Sequence, residues 1–297
     1  MNLRILLFSI IMSLGLIFLA SCSKDRTVKS RAVYDSVNSF FDTKKQGEQV
    51  FEITGPSDTP IVGQFGTVLY QGISIFMYPN GDSVTYPYSI GLIELYNAKE
   101  MIYYRMPSVA NGEILQCAGE IRIRAFKGDT DLVLRPGASF TVYFPTDTVI
   151  TNMRAFKSSG VEPINWTPTS DIATYTTGIE IPGDYYRING KFLGWMSCAA
   201  YDNVDNTATI TFSSQTDSVE TISKFIYIPS YNGLAIVDGN SINMPSGLKT
   251  HFLGVGLINN DIYSFHQYFV SQTQDINITM TQTSEQDLDQ LLDNMSN

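Results

Sequence analysis

Apolar and polar residues alternate with a period of two along most of the chain after residue 47. This period is typical of strands that bury one face and expose the other. The clearest examples are 120–125, 140–144, 208–212 and 276–280. Short clusters of glycine, proline, asparagine and aspartate separate these segments and indicate turns. The pattern predicts a mainly β fold with two antiparallel, sandwich-like domains.

Helical spacing of apolar residues is confined to two short segments. Four apolar residues between positions 31 and 45 recur at this spacing: Val33, Val37, Phe40 and Phe41. Asp35 and Asp42 on or beside this helix favour packing against the body over a position on a membrane surface. Near the C-terminus, Ser284 precedes an acidic stretch and can cap a second helix. We expect these two short helices and no helix between them.

The spacing of the β pattern also indicates how the chain is divided. We expect residues 49–156 to form a first β-sandwich domain. Residues 204–297 are expected to form a second sandwich-like domain that includes the C-terminal helix. The segment 157–203 contains both tryptophans and three prolines but few clean alternations, so it is expected to connect the two domains.

The N-terminus has the anatomy of an export signal. Arg4 precedes an apolar run over residues 5–20, which is shorter than the roughly 20 residues that a membrane-spanning helix needs. The run ends in Leu19-Ala20-Ser21-Cys22, which resembles a bacterial lipobox. We predict a signal peptide over residues 1–21, cleaved between Ser21 and Cys22. An ordinary secretory signal and an uncleaved anchor are the alternatives.

Cleavage at this position would leave Cys22 to carry the lipid. The expected group is an S-diacylglycerol with an N-acyl chain such as palmitate, which would make the anchor permanent. Residues 22–48 would then form a lipidated tether and the short helix. Ser23 stands where an inner-membrane retention signal usually has aspartate, so we expect a place in the cell envelope at the outer membrane. Lys24 and Asp25 partly resemble the short charged tract that follows the cysteine in Bacteroidetes surface lipoproteins. Exposure at the cell surface is therefore an open alternative.

Composition narrows the range of partners. The formal net charge is −10, which argues against nucleic acid and against docking on anionic lipid through basic patches. The expected partners are the membrane, through the lipid, and a protein or glycan of the envelope. Besides Cys22, the chain has only Cys117 and Cys198. These could pair after export, but a domain of this size favours two buried thiols.

Several motifs resemble those of a known family. They are the strand Gly66-Thr67-Val68, the strand Ile93-Glu94-Leu95, the turn at 107–115 and the strand at 119–125. They resemble a family of Bacteroidetes outer-membrane and surface lipoproteins, whose sandwich is similar to that of ankyrins and netrin receptors. Segments 164–168 and 193–198 extend the resemblance to residue 203.

The resemblance implies a binding role, because the similar eukaryotic sandwich is an interaction and autoinhibitory module. One position departs from the family pattern. Relatives often have acidic or polar residues after the cysteine at position 198, where this chain has Ala199 and Ala200. The resemblance therefore does not carry over any polar site that relatives build there.

Candidate reactive residues are few. His251 and His266 are the only histidines, and their spacing fits no zinc motif, so each is interpreted as structural. Cys198 could be a nucleophile, but the sequence locates no activating partner and a buried cysteine is the simpler interpretation. Asp202 and Asp205 could contribute oxygens to a cation, although a hydrated turn explains them as well. We therefore expect no metal and no cofactor besides the lipid.

Two aromatic segments could contact a ligand. Tyr185-Tyr186-Arg187 and Trp195 could stack on sugars or on side chains of a partner, but such residues also fill the joint between domains. The first functional hypothesis is a non-enzymatic binding or scaffold module of the envelope. The alternatives are an envelope hydrolase acting on glycan or peptide, and an accessory subunit of a secretion or gliding assembly.

Lipidation has a direct test. Replacing Cys22 by alanine removes the only thiol available for acylation at the cleavage site, so the variant should lose fatty-acid labelling and accumulate as the uncleaved precursor. Metabolic labelling with a palmitate analogue followed by immunoprecipitation measures both effects. A Ser23→Ala variant is the matched control and should label normally. Persistent labelling of Cys22→Ala would show that the lipid is elsewhere.

Overall fold

The computed structural model describes residues 33–56, 59–72, 74–161, 164–177, 182–202, 204, 206–214 and 222–296. The predicted signal peptide, Cys22 and the first part of the tether lie outside these residues. Asp205 also lies outside them. The mainly β fold class predicted from the sequence is confirmed, with sandwich-like sheets and short helices near both ends of the described chain. No helix in the described ranges is long and apolar enough to cross a membrane.

The first sandwich uses strands between residues 49 and 200. They are β1 (Gln49–Ile53), β2 (Ile61–Val62), β3 (Val68–Tyr70), β4 (Phe76–Met77), β5 (Tyr88–Leu95), β6 (Val109–Ala110), β7 (Glu113–Ile114), β8 (Gln116–Lys127), β9 (Thr130–Asp131), β10 (Val133–Leu134), β11 (Phe140–Pro145), β12 (Arg154–Ser158), β13 (Thr167–Ile172), β14 (Thr174–Thr177), β15 (Asp184–Gly190) and β16 (Gly194–Ala200).

Two antiparallel sheets face each other in this sandwich. Sheet I has the order β1-β5-β8-β16-β12-β13, with β9 added to β8, and sheet II has the order β14-β15-β11-β3-β2. The alternation in β11 aims Phe140, Val142 and Phe144 at sheet I, where Ile90 and Leu92 meet them. Strands β4 and β10 form a small antiparallel pair, and β6 and β7 form a short hairpin.

The segment expected to connect the domains is instead part of the first sandwich. Strands β13 and β16 belong to sheet I, and β14 and β15 belong to sheet II. The chain passes from one sheet to the other at Ala173, between β13 and β14. The prolines argue against strands in the sequence pattern. Pro168 nevertheless lies in β13, because β13 is an edge strand, where proline is tolerated.

The second sandwich uses strands between residues 207 and 282. They are β17 (Thr207–Ser214), β18 (Ser223–Ile228), β19 (Gly233–Ile236), β20 (Ser241–Pro245), β21 (Lys249–Ile258), β22 (Asp261–Val270), β23 (Gln274–Ile278) and β24 (Thr281–Gln282). Sheet III has the order β19-β18-β21-β22-β24 and sheet IV the order β20-β17-β23. Their facing apolar residues, including Ile210, Phe212 and Phe252, form a separate core.

Three helices form a layer between the sandwiches. They are α1 (Val37–Lys44), α2 (Ala98–Tyr104) and α3 (Glu285–Met295). Their buried residues share one core with the outer faces of sheets I and III. Phe41 of α1 shows the arrangement, because its ring lies 5.8 Å from that of Tyr103 on α2 and 5.7 Å from that of Phe225 on sheet III. The layers therefore run in the order sheet II, sheet I, helices, sheet III, sheet IV.

Helix α2 contradicts the expectation that no helix lies between the terminal ones. Seven residues are too few to show helical periodicity against a β background. Local capping nevertheless defines it, because the Asn97 side chain accepts a hydrogen bond from the Glu100 amide and Arg105 ends the helix in a left-handed conformation. Asn97 is the signal that sequence reasoning missed.

Polar contacts fix α1 to α3. The Lys44 ammonium lies 2.9 Å from Glu285 and 3.2 Å from Asp289 on α3. The hydroxyl of Tyr34 donates a hydrogen bond of 2.8 Å to Glu285, and the amide of Tyr34 donates one of 2.6 Å to the side chain of Asn260. The two ends of the described body thus close on each other.

Candidate functional site

A cleft of about 370 Å³ lies at the joint of the two sandwiches. Loops of the first sandwich form one side, the end of β8 forms the floor, and a turn of the second sandwich forms the other side. The lining residues are Phe65, Tyr96, Cys117, Ala118, Pro145, Thr146, Asp147, Thr148, Ile150, Pro229, Ser230, Tyr231 and Asn232. Rings and prolines thus occur together with hydroxyl and amide groups, and Asp147 is the one charged residue among the described residues that line the cleft.

The loop over residues 145–150 is held in place from below. The Tyr186 hydroxyl shares its one hydrogen between the carbonyls of Ile150, at 3.0 Å, and of Thr148, at 3.2 Å, and it accepts a hydrogen bond from the Ile150 amide. The Thr146 hydroxyl donates to the Thr148 carbonyl at 2.7 Å. The Thr146 amide in turn donates to the Asp184 carbonyl. These bonds fix the loop before any ligand arrives.

The buried carboxylate of Glu94 holds the neighbouring loop. It accepts hydrogen bonds from the amides of Phe65, at 3.1 Å, and Thr67, at 3.0 Å, and from the Gln49 side chain at 2.7 Å. Gly63 passes so close that a Cβ there would lie 2.5 Å from this carboxylate. The hydrogen bonds of the buried Glu94 side chain therefore fix the loop that places Phe65 at the cleft.

The wall from the second sandwich is a single 3-10 turn. It spans Pro229–Tyr231 and ends at Asn232, whose φ of 44° is left-handed. The Tyr227 hydroxyl donates to the Asn232 side chain at 2.9 Å, which supports this conformation. At Gly233 a Cβ would lie 2.6 Å from the Leu115 carbonyl oxygen, so only glycine allows the two sandwiches to approach this closely.

A buried polar network crosses the joint behind the cleft. The Ser108 hydroxyl donates to Glu120 Oε1 at 2.8 Å and accepts from the Leu234 amide at 3.3 Å. The Ser108 amide donates to the Leu234 carbonyl at 2.7 Å. Glu120 Oε2 is buried and has no hydrogen-bond partner among the residues that the structure describes. Burial raises the pKa of Glu120 to about 8, against the lowering effect of the Ser108 hydroxyl.

Cys117 and Cys198 are both free and buried, as the composition favoured. They lie on neighbouring strands but on opposite faces of sheet I, Cys117 in the helical core and Cys198 in the core of the first sandwich. Burial raises the pKa of both thiols, and the nearby Glu120 adds to the rise at Cys117. Both thiols are therefore protonated at neutral pH, which is the unreactive form.

The structure brings the two histidines together, although it keeps them away from Cys198. His251 and His266 lie on β21 and β22 of sheet III, with 2.9 Å between His251 Nδ1 and His266 Nε2. Sequence reasoning treated them singly. The signal was present in the Asn259-Asn260 turn, since folding the chain there as a hairpin places both histidines on one face.

The remaining candidates serve different roles. Tyr186 packs in the core of the first sandwich while its hydroxyl holds the 145–150 loop. Tyr185 is buried beside it, and Trp195 packs on Tyr104 of α2, with ring centroids 5.8 Å apart. Asp202 is partly buried, and burial raises the pKa of its carboxyl. No group of three or more histidine, cysteine or acidic residues that could hold a metal occurs in the described ranges.

Comparisons of the chain with protein-family models, with curated proteins and with solved structures found no match.

The buried acid at the joint predicts a pH dependence of stability. Below about pH 4.5 Glu120 is protonated in the folded and unfolded chain alike, but between 4.5 and 8 only the folded chain holds the proton. The free energy of unfolding should therefore fall as the pH rises through this window, by about 3–5 kcal/mol from this group. Glu120→Gln lacks this titrating group, so its free energy of unfolding should not show this fall. The free energy of unfolding of the variant minus that of wild type should therefore increase by the same amount as the pH rises through this window.

Urea unfolding at pH 5, 7 and 9 measures the difference. Glu113→Gln is the matched control, because Glu113 is exposed on β7 and its replacement should leave the wild-type pH profile in place. If Glu120→Gln follows the same pH profile as wild type, Glu120 is not the group responsible.

Proposed function

We propose that this protein is a lipoprotein of the bacterial cell envelope, held to the outer membrane through Cys22, that binds or scaffolds a partner without catalysing a reaction. The cleft at the joint of the sandwiches is the proposed contact site. The lipobox and the polar stretch after Cys22 support the anchor, and the geometry of the cleft supports the binding role.

The observation that carries the proposal is that each wall of the cleft is fixed independently of a ligand. Tyr186 holds the 145–150 loop, Glu94 holds the Phe65 loop, and Tyr227 supports the turn at Asn232. A site that is ordered in advance loses little conformational entropy on binding. Such pre-organisation supports recognition of a partner. The side chains of Tyr186, Glu94 and Tyr227 form their hydrogen bonds with the walls of the cleft, so they hold its shape.

The lining chemistry favours a polar partner that also has flat apolar surface. Phe65, Tyr231 and two prolines offer flat apolar surface, while Thr146 and Ser230 offer hydroxyl groups. Small-molecule and peptide sites combine apolar walls with a few placed polar groups in this way. A glycan chain and an extended peptide segment both fit this description, and the envelope contains both.

The fixed start of the described body suits an anchored module. Tyr34 is bound to Glu285 and Asn260, and Lys44 is bound to Glu285 and Asp289. The chain that follows the proposed tether is therefore attached to the central helical layer. A lipid on Cys22 would hold the whole body near the membrane, leaving the cleft to hold the partner.

Photo-crosslinking in intact cells tests this function. A photo-reactive amino acid in place of Ser230, which is exposed and lines the cleft, should give a discrete adduct with an envelope component. Glycosidase or protease treatment of the adduct tells glycan from protein. Phe65→Ala should weaken the adduct at least several-fold, because it removes one apolar wall.

The matched control is the same replacement at Ser241, which is exposed on β20 away from the cleft. It should give no comparable adduct. Equal adducts at both serines, or none at Ser230 in a correctly localised protein, would contradict a binding role for the cleft.

A further inference from the structure

A hairpin of sheet III places both histidines on one surface. Strands β21 and β22 pair antiparallel, with His251 opposite Tyr268 and His266 opposite Leu253. His251 and His266 are therefore diagonal neighbours on the face toward the helical layer. Asn259 and Asn260, with φ values of 51° and 66°, form the turn that fixes this register.

The two imidazoles meet edge to edge. His251 Nδ1 and His266 Nε2 are 2.9 Å apart, while the ring centroids are 5.2 Å apart and the ring planes differ by 21°. The two nitrogens thus lie between the rings, and one donates its hydrogen to the other. Burial and the neighbouring His266 lower the pKa of His251 to about 4, and burial lowers the pKa of His266. Imidazole nitrogen is the commonest protein ligand of transition metals.

We propose that His251 and His266 form a binding site for one divalent copper or nickel ion, with water completing the coordination. Two metal–nitrogen bonds of about 2.0–2.1 Å at a right angle place their nitrogens about 2.9 Å apart, whereas a tetrahedral angle needs about 3.3 Å. The observed separation of 2.9 Å, which the hydrogen bond sets, already brings the two nitrogens within the span that one ion with two neighbouring ligands needs. Square-planar and tetragonal geometry is the preference of Cu(II) and Ni(II).

Metal entry requires only local rearrangement. In the hydrogen-bonded pair one facing nitrogen carries a proton, and this proton moves to the other nitrogen of the same ring, so two neutral imidazoles bind with no net release of protons. Each ring then turns about χ2, a soft torsion, so that both lone pairs point at the ion. His266 is partly exposed and the Tyr268 ring, which covers His251 at 4.7 Å, is 52% exposed, so the ion can enter from this side.

The surroundings of the pair select against hard cations. Lys249 occupies the next position along β21 on the same face. Since no group of three or more histidine, cysteine or acidic residues includes this pair in the described ranges, binding depends on imidazole coordination. Calcium and magnesium, which require oxygen ligands, are therefore poor occupants.

Copper titration of the full chain in detergent tests the site. Because the chain has only two histidines, every imidazole signal comes from them. One equivalent of Cu(II) should bind at pH 7.5, with electron paramagnetic resonance showing coupling to two imidazole nitrogens. His251→Gln and His266→Gln should each weaken binding by at least about tenfold. Tyr268→Phe, the matched control, should retain it.

Thermal melting establishes that each variant is folded. If a variant does not fold, nuclear magnetic resonance of wild-type protein labelled with ¹⁵N-histidine tests the same site. One equivalent of bound Cu(II) should broaden the signals of both rings. Undisturbed ring signals at excess copper would show a purely structural pair and overturn the proposal. Copper binding of equal strength in both folded histidine variants would overturn it as well.

Discussion

The structure depends on burying two sheet faces that neither sandwich can cover by itself. Sheet I has apolar residues on both faces, and strand β5 is buried at seven of its eight positions. Sheet III has the same problem, because Phe225 and Leu253 lie on the face opposite to its own sandwich core. A sheet in contact with water on such a face would lose roughly 1.5–3 kcal/mol for each large side chain left exposed. The helical layer supplies the missing cover, and it does so for both sheets at once.

This shared layer explains the position of the cleft and of the buried polar groups. Because the helices bring the two sandwiches together along one side, loops of the first sandwich meet the 229–232 turn of the second. Gly233 permits the close approach, and Ser108 joins the backbone of the second sandwich to Glu120 of the first. The joint is therefore an ordered interface within one body, and the cleft at its margin has fixed walls on both sides.

The parts of the fold that the sequence predicts are those with one wet face. Strands β11 and β17 alternate cleanly because only one side of each is buried. Strand β5 and helix α2 carry no such alternation, because the helical layer and the sheets bury them from several directions. The 157–203 segment has the sequence pattern of a connector for a related reason, since its edge strand β13 contains Pro168. The contact between His251 and His266 depends on the register of the β21–β22 hairpin. Apart from the turn itself, no local sequence pattern indicates this register.

Calorimetry of the full chain tests most directly whether the helical layer makes the two sandwiches one cooperative unit. We expect a single transition whose calorimetric and van't Hoff enthalpies agree. Leu292→Ala, which empties a fully buried position on α3, should destabilise the chain by about 2–5 kcal/mol and shift the whole transition. Leu291→Ala, with the same change in helix propensity at a partly buried position, should shift it less. Two separate transitions, with Leu292→Ala affecting only one of them, would show that the sandwiches unfold independently and that the helical layer does not join them.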